Sequence, residues 1–151
     1  MKILRVDMNL LQVHWEPAPE IYQHLGGRGL IAKVLLEEIP ATCDALGPHN
    51  RLIFTPGLLG GAGVATAGRL SVGAKSPLTG GAKEANAGGT AGDTLGKLGI
   101  QAVIVEGQPK PGEWYMLHIQ GDQAALLPAD GVAGLGTYAT SDRLQAQFGA
   151  G

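Results

Sequence analysis

The sequence is short of cysteine, of charge and of aromatic rings, and each shortage removes a class of answer. Cys43 is the single cysteine of 151 residues. That excludes an intrachain disulfide framework, and any zinc or iron–sulfur site built from several cysteines of this chain. Charged residues make up 16%, well under the usual value of about 25%. The 11 basic and 13 acidic residues nearly cancel, so there is no electrostatic footprint for nucleic acid. Aromatics are only 5%, and neither Trp15 nor Trp114 reads as part of a stacking platform. Long apolar runs are also missing. The longest uncharged stretch, Leu52 to Gly68, contains Pro56 and several glycines and does not read as a membrane span. Lys2, Arg5 and Asp7 interrupt any signal-peptide core at the start. The expectation is a soluble, cytoplasmic protein with no nucleic-acid and no membrane partner.

What is abundant is glycine, with 25 residues, of which 13 fall between Gly57 and Gly99. They follow no three-residue period, which excludes collagen. The apolar fraction of 44% and the net charge of −2 disfavour disorder. A length of 151 residues fits one domain with a real core.

Patterning predicts strands at Lys2–Met8 and Leu10–Trp15, joined as a hairpin through Asp7-Met8-Asn9. A short helix is expected at Glu20–Leu25, and a longer one at Gly29–Glu38, where Leu30, Ile31, Val34 and Leu35 keep helical spacing until Pro40. Strands follow at Arg51–Thr55, Arg69–Ala74 and Ala102–Glu106, the last being the clearest buried run. Gly92–Leu98 predicts a short helix, Trp114–Ile119 and Ala124–Leu127 a second hairpin, and Thr137–Phe148 a last helix. Strands, helices and hairpins mix without a βαβ rhythm, which favours an α+β domain of mixed sheets and short helices.

A dense glycine cluster has two physical readings. Glycines serve positive φ and close element packing, or they let the backbone approach a ligand, often an anion. Arg69, Lys75, Ser76, Asn86 and Asp93 punctuate the cluster with ligand-binding chemistry. Arginine forks onto phosphates or polar rings, and Asn86 suits a left-handed turn. Sharper motifs fail. Gly27, Gly29 and Ala32 satisfy a dinucleotide fingerprint, but a helix rather than a strand is expected before them. Gly73-Ala74-Lys75-Ser76 echoes a phosphate loop, but Pro77 follows and the leading glycine is misplaced. His14, His24, His49 and His118 have no metal-ligand spacing. Cys43 lies in a polar loop without an evident base, and Trp15 and Trp114 read as strand packing.

Several segments in order carry a resemblance. They are Leu4–Asp7, Gly26–Lys33, Leu46–Phe54, Gly68–Val72, Lys75–Gly80, Asn86–Gly89 and Ala102–Gly107. Together they closely resemble the N-terminal domain of the aldehyde ferredoxin oxidoreductase family, the tungsten-containing oxidoreductases, and cover most of the chain. The resemblance implies a base domain under a tungsten (or molybdenum) bis-pyranopterin, in enzymes that oxidise aldehydes to carboxylic acids and pass electrons to ferredoxin. By position, Arg69 resembles the family's pterin-contacting arginine. Asn86 resembles the asparagine that contacts the pterin and offers its backbone carbonyl to magnesium, and Ala87 and Gly88 resemble the adjoining contacts. No catalytic residue is implied within the chain. The family's four cluster cysteines lie in later domains, so a 4Fe-4S cluster is expected only outside these residues. Leu70 stands where an aromatic commonly follows the arginine, and Thr90-Ala91 where Tyr or Phe is common. The resemblance therefore implies a single domain over 1–151 that is catalytically incomplete alone. It would work with the remaining domains or a partner subunit, and it has a possible homo-oligomer. The alternative is a non-catalytic binding or assembly module derived from that domain.

Overall fold

In a computed structural model the described residues run from Met1 to Gly149. They divide into two compact units, Met1–Gln108 and the segment from Pro109 onward. The first unit holds a six-stranded sheet built from β1 (Lys2–Asp7), β2 (Gln12–Pro17), β3 (Arg51–Pro56), β4 (Leu70–Lys75), β5 (Ala82–Ala87) and β6 (Ile100–Glu106). Their spatial order is β2-β1-β6-β3-β4-β5. Only β1 and β6 run parallel; the other neighbours are antiparallel. With helices α1 (Gly27–Glu38) and α2 (Ala91–Lys97) this is the expected α+β architecture.

The core forms where α1 meets the sheet. Leu30, Ile31 and Val34 recur at helical spacing and are essentially unexposed. They pack with Ile3, Ile53, Ala102 and Ile104 from the central strands and with Tyr22. Ile31 sits over Gly73, where a Cβ would fall 2.5 Å from its Cγ2. Gln101 is buried where the β1–β6 register shifts. Its amide donates to the Tyr22 and Leu25 carbonyls, at 2.5 and 2.9 Å.

A charged chain crosses the C-terminal end of α1. Arg5 forks onto Glu38 at 2.6 and 2.8 Å and reaches Glu16 at 2.8 Å. Tyr22 Oη donates to Glu38 at 2.9 Å, and Arg51 extends the chain to Glu106 at 2.9 Å. Burial opposes ionisation of Glu38, but the Arg5 hydrogen bonds and charge outweigh it and hold this carboxyl below the usual range. The hydrogen bonds to Glu38 raise the Arg5 guanidinium despite its own burial. Burial first, then the hydrogen bond to Glu38, raises the Tyr22 hydroxyl.

The second unit has a hairpin, β7 (Tyr115–Gln120) with β8 (Gln123–Pro128), and helix α3 (Thr137–Phe148). The His118 and Phe148 rings stack at 4.5 Å between centroids.

Five expectations need correction. The partner strand of the first hairpin is Gln12–Pro17 rather than Leu10–Trp15, because the Asp7 carboxylate accepts the Asn9 and Leu10 N–H groups and opens a four-residue turn over 8–11. Glu20–Leu25 is not a short helix but a single 3-10 turn, Glu20–Tyr22, because Gly26 and Gly27 follow too soon for a second turn. Residues 82–87 pair as an edge strand that the sequence does not announce. Asn86 lies in that strand, so it takes no left-handed turn; the positive φ falls on Gly89 instead. Trp114 is 69% exposed and precedes β7, so it is not packed within its strand. Among the described residues no helix is long and apolar enough to cross a membrane.

Candidate cofactor-binding cleft

Residues 57–69 connect β3 to β4, and α2 lies against them without intervening side chains. A Cβ on Gly96 would fall 2.1 Å from the Gly60 carbonyl oxygen, and one on Gly92 would fall 2.6 Å from that of Gly68. These two glycines are four apart and share one face of α2. A carboxylate fastens the same contact. Asp93 accepts the Gly61 N–H at 2.9 Å and pairs with Lys97 at 2.6 Å. The hydrogen bond from Lys97, then that from Gly61, lowers the Asp93 carboxyl below its usual range.

The loop so fixed forms one wall of a cavity of about 530 Å³, with Gly88, Gly89 and Thr90 opposite and Gly68, Arg69 and Asp93 between. Arg69 is exposed, and among the described residues its guanidinium has no hydrogen-bond or ion-pair partner. Asp93, the carboxylate that lines the same cavity, is engaged by Lys97 and Gly61. Thr66 lines the loop wall at φ +64°, a conformation that β-branched residues rarely hold.

The hairpin of β4 and β5 explains how positions distant in sequence meet. Its register pairs Leu70 with Ala87 and Ser71 with Asn86. One further step would set Arg69 opposite Gly88, next to the Ser71–Asn86 pair on the same face. The Ser71 hydroxyl donates to Asn86 Oδ1 at 2.7 Å. The Ser76 N–H bonds to the Gly81 carbonyl at the hairpin's closed end. Antiparallel alternation from that pair turns the main-chain groups of Asn86 away from β4, onto the open edge of the sheet.

Gly88 separates the two readings of the glycine cluster. Gly92 and Gly96 are glycine because backbone lies against them. Gly88 has neither a positive φ nor any atom within 4 Å of an added Cβ. Nothing among the described residues requires glycine there, whereas a ligand lying on the backbone would.

Of the polar residues that punctuate the cluster, Arg69, Asn86 and Asp93 gather at this end of the hairpin. Lys75 and Ser76 do not. They lie at the far end of β4, roughly 20 Å along the strand from Arg69. There the Lys75 ammonium donates to the Ala41 and Cys43 carbonyls, and the Ser76 hydroxyl accepts turn N–H groups. The phosphate-loop echo is thus strand and turn, and the dinucleotide-like glycines open α1 after a 3-10 turn. Among the described residues no three His, Cys, Asp or Glu side chains gather as a metal site. The sequence reading missed Ser71 and Thr66. A serine inside a strand gives no signal, and strain at Thr66 emerges only from backbone angles.

Comparison with known proteins agrees with the resemblance. Residues 3–151 match the model of the family described as aldehyde ferredoxin oxidoreductase, N-terminal domain. A tungsten-containing aldehyde ferredoxin oxidoreductase of Thermococcus kodakarensis is 35% identical over 98% of this chain and 24% of its own. One of Pyrococcus horikoshii is 41% identical over 71% of this chain and 18% of its own. The chain thus spans about a quarter or less of the curated relatives it matches. The solved active-site complex BamBC of benzoyl coenzyme A reductase, with 1,5-dienoyl-CoA, superposes with TM-score 0.89 at 26% identity. That match covers 97% of this chain and 22% of the solved one.

Proposed function

The chain belongs to the aldehyde ferredoxin oxidoreductase family, as its N-terminal domain, and from that premise we propose that the cleft around Arg69 and Gly88 is one bed of a tungsten (or molybdenum) pyranopterin. The observation that carries this reading is an exposed arginine that has no partner among the described residues, opposite a glycine that their packing does not need. The residues fit such a group. Arg69 supplies a forked donor for phosphate or pterin edges. Gly88 and Ala87 leave the backbone bare for a flat ring system. The Asn86 carbonyl, turned to the open edge, would serve magnesium, a cation that prefers oxygen ligands. Asp93 does not compete for Arg69, because Lys97 and the Gly61 N–H hold it.

When bound, the metal group supplies the two-electron oxidation of an aldehyde to a carboxylic acid. This chain's part is to bind and orient. Electrons would leave through a 4Fe-4S cluster to ferredoxin, and both the cluster and the aldehyde pocket belong to domains or subunits outside these residues. A cytoplasmic setting belongs to the same reading.

The test is Arg69→Ala in the complete oxidoreductase, read as tungsten, molybdenum and pterin per chain. Removing the fork should lower all occupancies together with little change in melting temperature. Full occupancy would overturn the assignment.

A further inference from the structure

We propose that Ser71 is a positioning residue that fixes the Asn86 carboxamide with its donor end outward. Arg69 and Asn86 then form a donor-only face that selects an oxygen-rich ligand edge, a phosphate or a ring carbonyl. The inference rests on the reading above and deepens it. A neutral carboxamide offers two donors or two acceptors depending on which way it is turned. Exposed, as Asn86 is, it has no intrinsic preference, and an outward oxygen would repel a phosphate.

Ser71 removes that freedom. It is 5% exposed, and the first turn of α1 closes on it, since a Cβ on Gly27 would sit 3.3 Å from its Oγ. A buried hydroxyl left without an acceptor keeps the full cost of its lost hydration. The acceptor it has is Asn86 Oδ1, at 2.7 Å. The hydroxyl proton therefore goes to the oxygen of the carboxamide, and Nδ2 with its two protons is left facing solvent. Cross-strand pairing holds Ser71 and Asn86 opposite each other, so the orientation is set before any ligand arrives.

The test uses the full chain labelled with 15N and titrated with inorganic phosphate, following the Asn86 Nδ2 and Arg69 Nε resonances. In the wild type both should shift. In Ser71→Ala the Arg69 response should persist, while the Asn86 response is lost and affinity falls about fivefold, the worth of one hydrogen bond of about 1 kcal/mol. Ser71→Thr, which keeps the hydroxyl, should restore it. A merely structural serine would move the backbone spectrum and leave that pattern absent. Asn86→Asp provides a second arm: it still accepts from Ser71 but turns a carboxylate outward, so phosphate binding should vanish without loss of melting temperature. Equal Asn86 responses in wild type and Ser71→Ala would overturn the positioning role and leave the cleft intact. No response of Arg69 in any protein would overturn the cleft itself.

Discussion

Helices α1 and α2 meet the rest of the first unit by opposite means. α1 presents branched side chains, Leu30, Ile31 and Val34, and buries them completely. α2 presents Gly92 and Gly96 and brings its backbone against the backbone of residues 60–69. The first contact gains energy from apolar burial, about 1.5–3 kcal/mol per side chain. The second gains little from burial, and what it achieves is proximity: it holds a connecting loop against the open end of the β4–β5 hairpin. The division of labour is physical. A contact made of side chains stabilises and a contact made without them shapes, and the candidate cleft lies at the second.

The comparison is tested hardest at its strongest point. Ile31→Ala should cost about 3 kcal/mol in a denaturant melt, because it removes buried methylenes and leaves a cavity over Gly73. The loss should appear as one cooperative transition, since the core it breaks is shared by β1, β3 and β6. A cost below about 1 kcal/mol would mean the α1 contact is not the main anchor.

On the other helix the sign is the test. Alanine for glycine inside an exposed helix ordinarily stabilises by about 1 kcal/mol. At Gly96 the added Cβ meets the Gly60 carbonyl group, which is backbone and cannot rotate away. Gly96→Ala should therefore destabilise by roughly 2 kcal/mol. Amide exchange should quicken in residues 57–69 and α2 while Ala102–Glu106 stays protected. A gain in stability would show that loop and helix are not in close contact.

Much of this frame was legible. The buried strand Ala102–Glu106, helix α1, the second hairpin and α3 follow from periodicity and turn residues, and the first hairpin follows with its second strand placed two residues early. β5 was not, because Ala-Lys-Glu-Ala-Asn-Ala has neither β-branched residues nor alternation. It is a strand only by pairing with β4. The parallel pairing of β1 with β6 is likewise a long-range fact with no local signature. For the site, Arg69, Ala87 and Gly88 could be named from resemblance, but which glycines pack and which stay bare required the neighbours of each. Ser71 carried no signal, since its role depends on the residue across the ladder.

A third, smaller effect separates the α1 end from the cleft through pH. Native Glu38 titrates below its unfolded value. Its contribution is therefore complete above about pH 4.3, the ordinary glutamate pKa, and is lost as pH falls through the lower native value. Glu38→Gln should cost roughly 1–2 kcal/mol near neutral pH, solvent screening included. The difference from wild type should narrow as pH falls below about 4.3 and close once pH lies below the native value. A pH-independent difference would mean that shape rather than charge links Arg5 to α1.

The smallest expected effect on stability is the most informative about function. Gly88→Ala adds a methyl group to open space at ordinary φ, so it should leave the melt within about 0.5 kcal/mol of wild type. Even a slight gain is expected, since alanine restricts the unfolded chain. Yet in the complete oxidoreductase the same methyl should lower pterin and metal occupancy, because it stands where a flat ligand would touch the main chain. Gly96→Ala and Gly88→Ala then form a matched pair. One should harm the fold through a clash that is visible in the structure; the other should spare the fold and harm only loading. If Gly88→Ala binds as wild type, the glycine is incidental and the bed lies elsewhere on the hairpin. If it destabilises as Gly96→Ala does, Gly88 has a packing partner within the protein, and the case for a ligand at that position is lost.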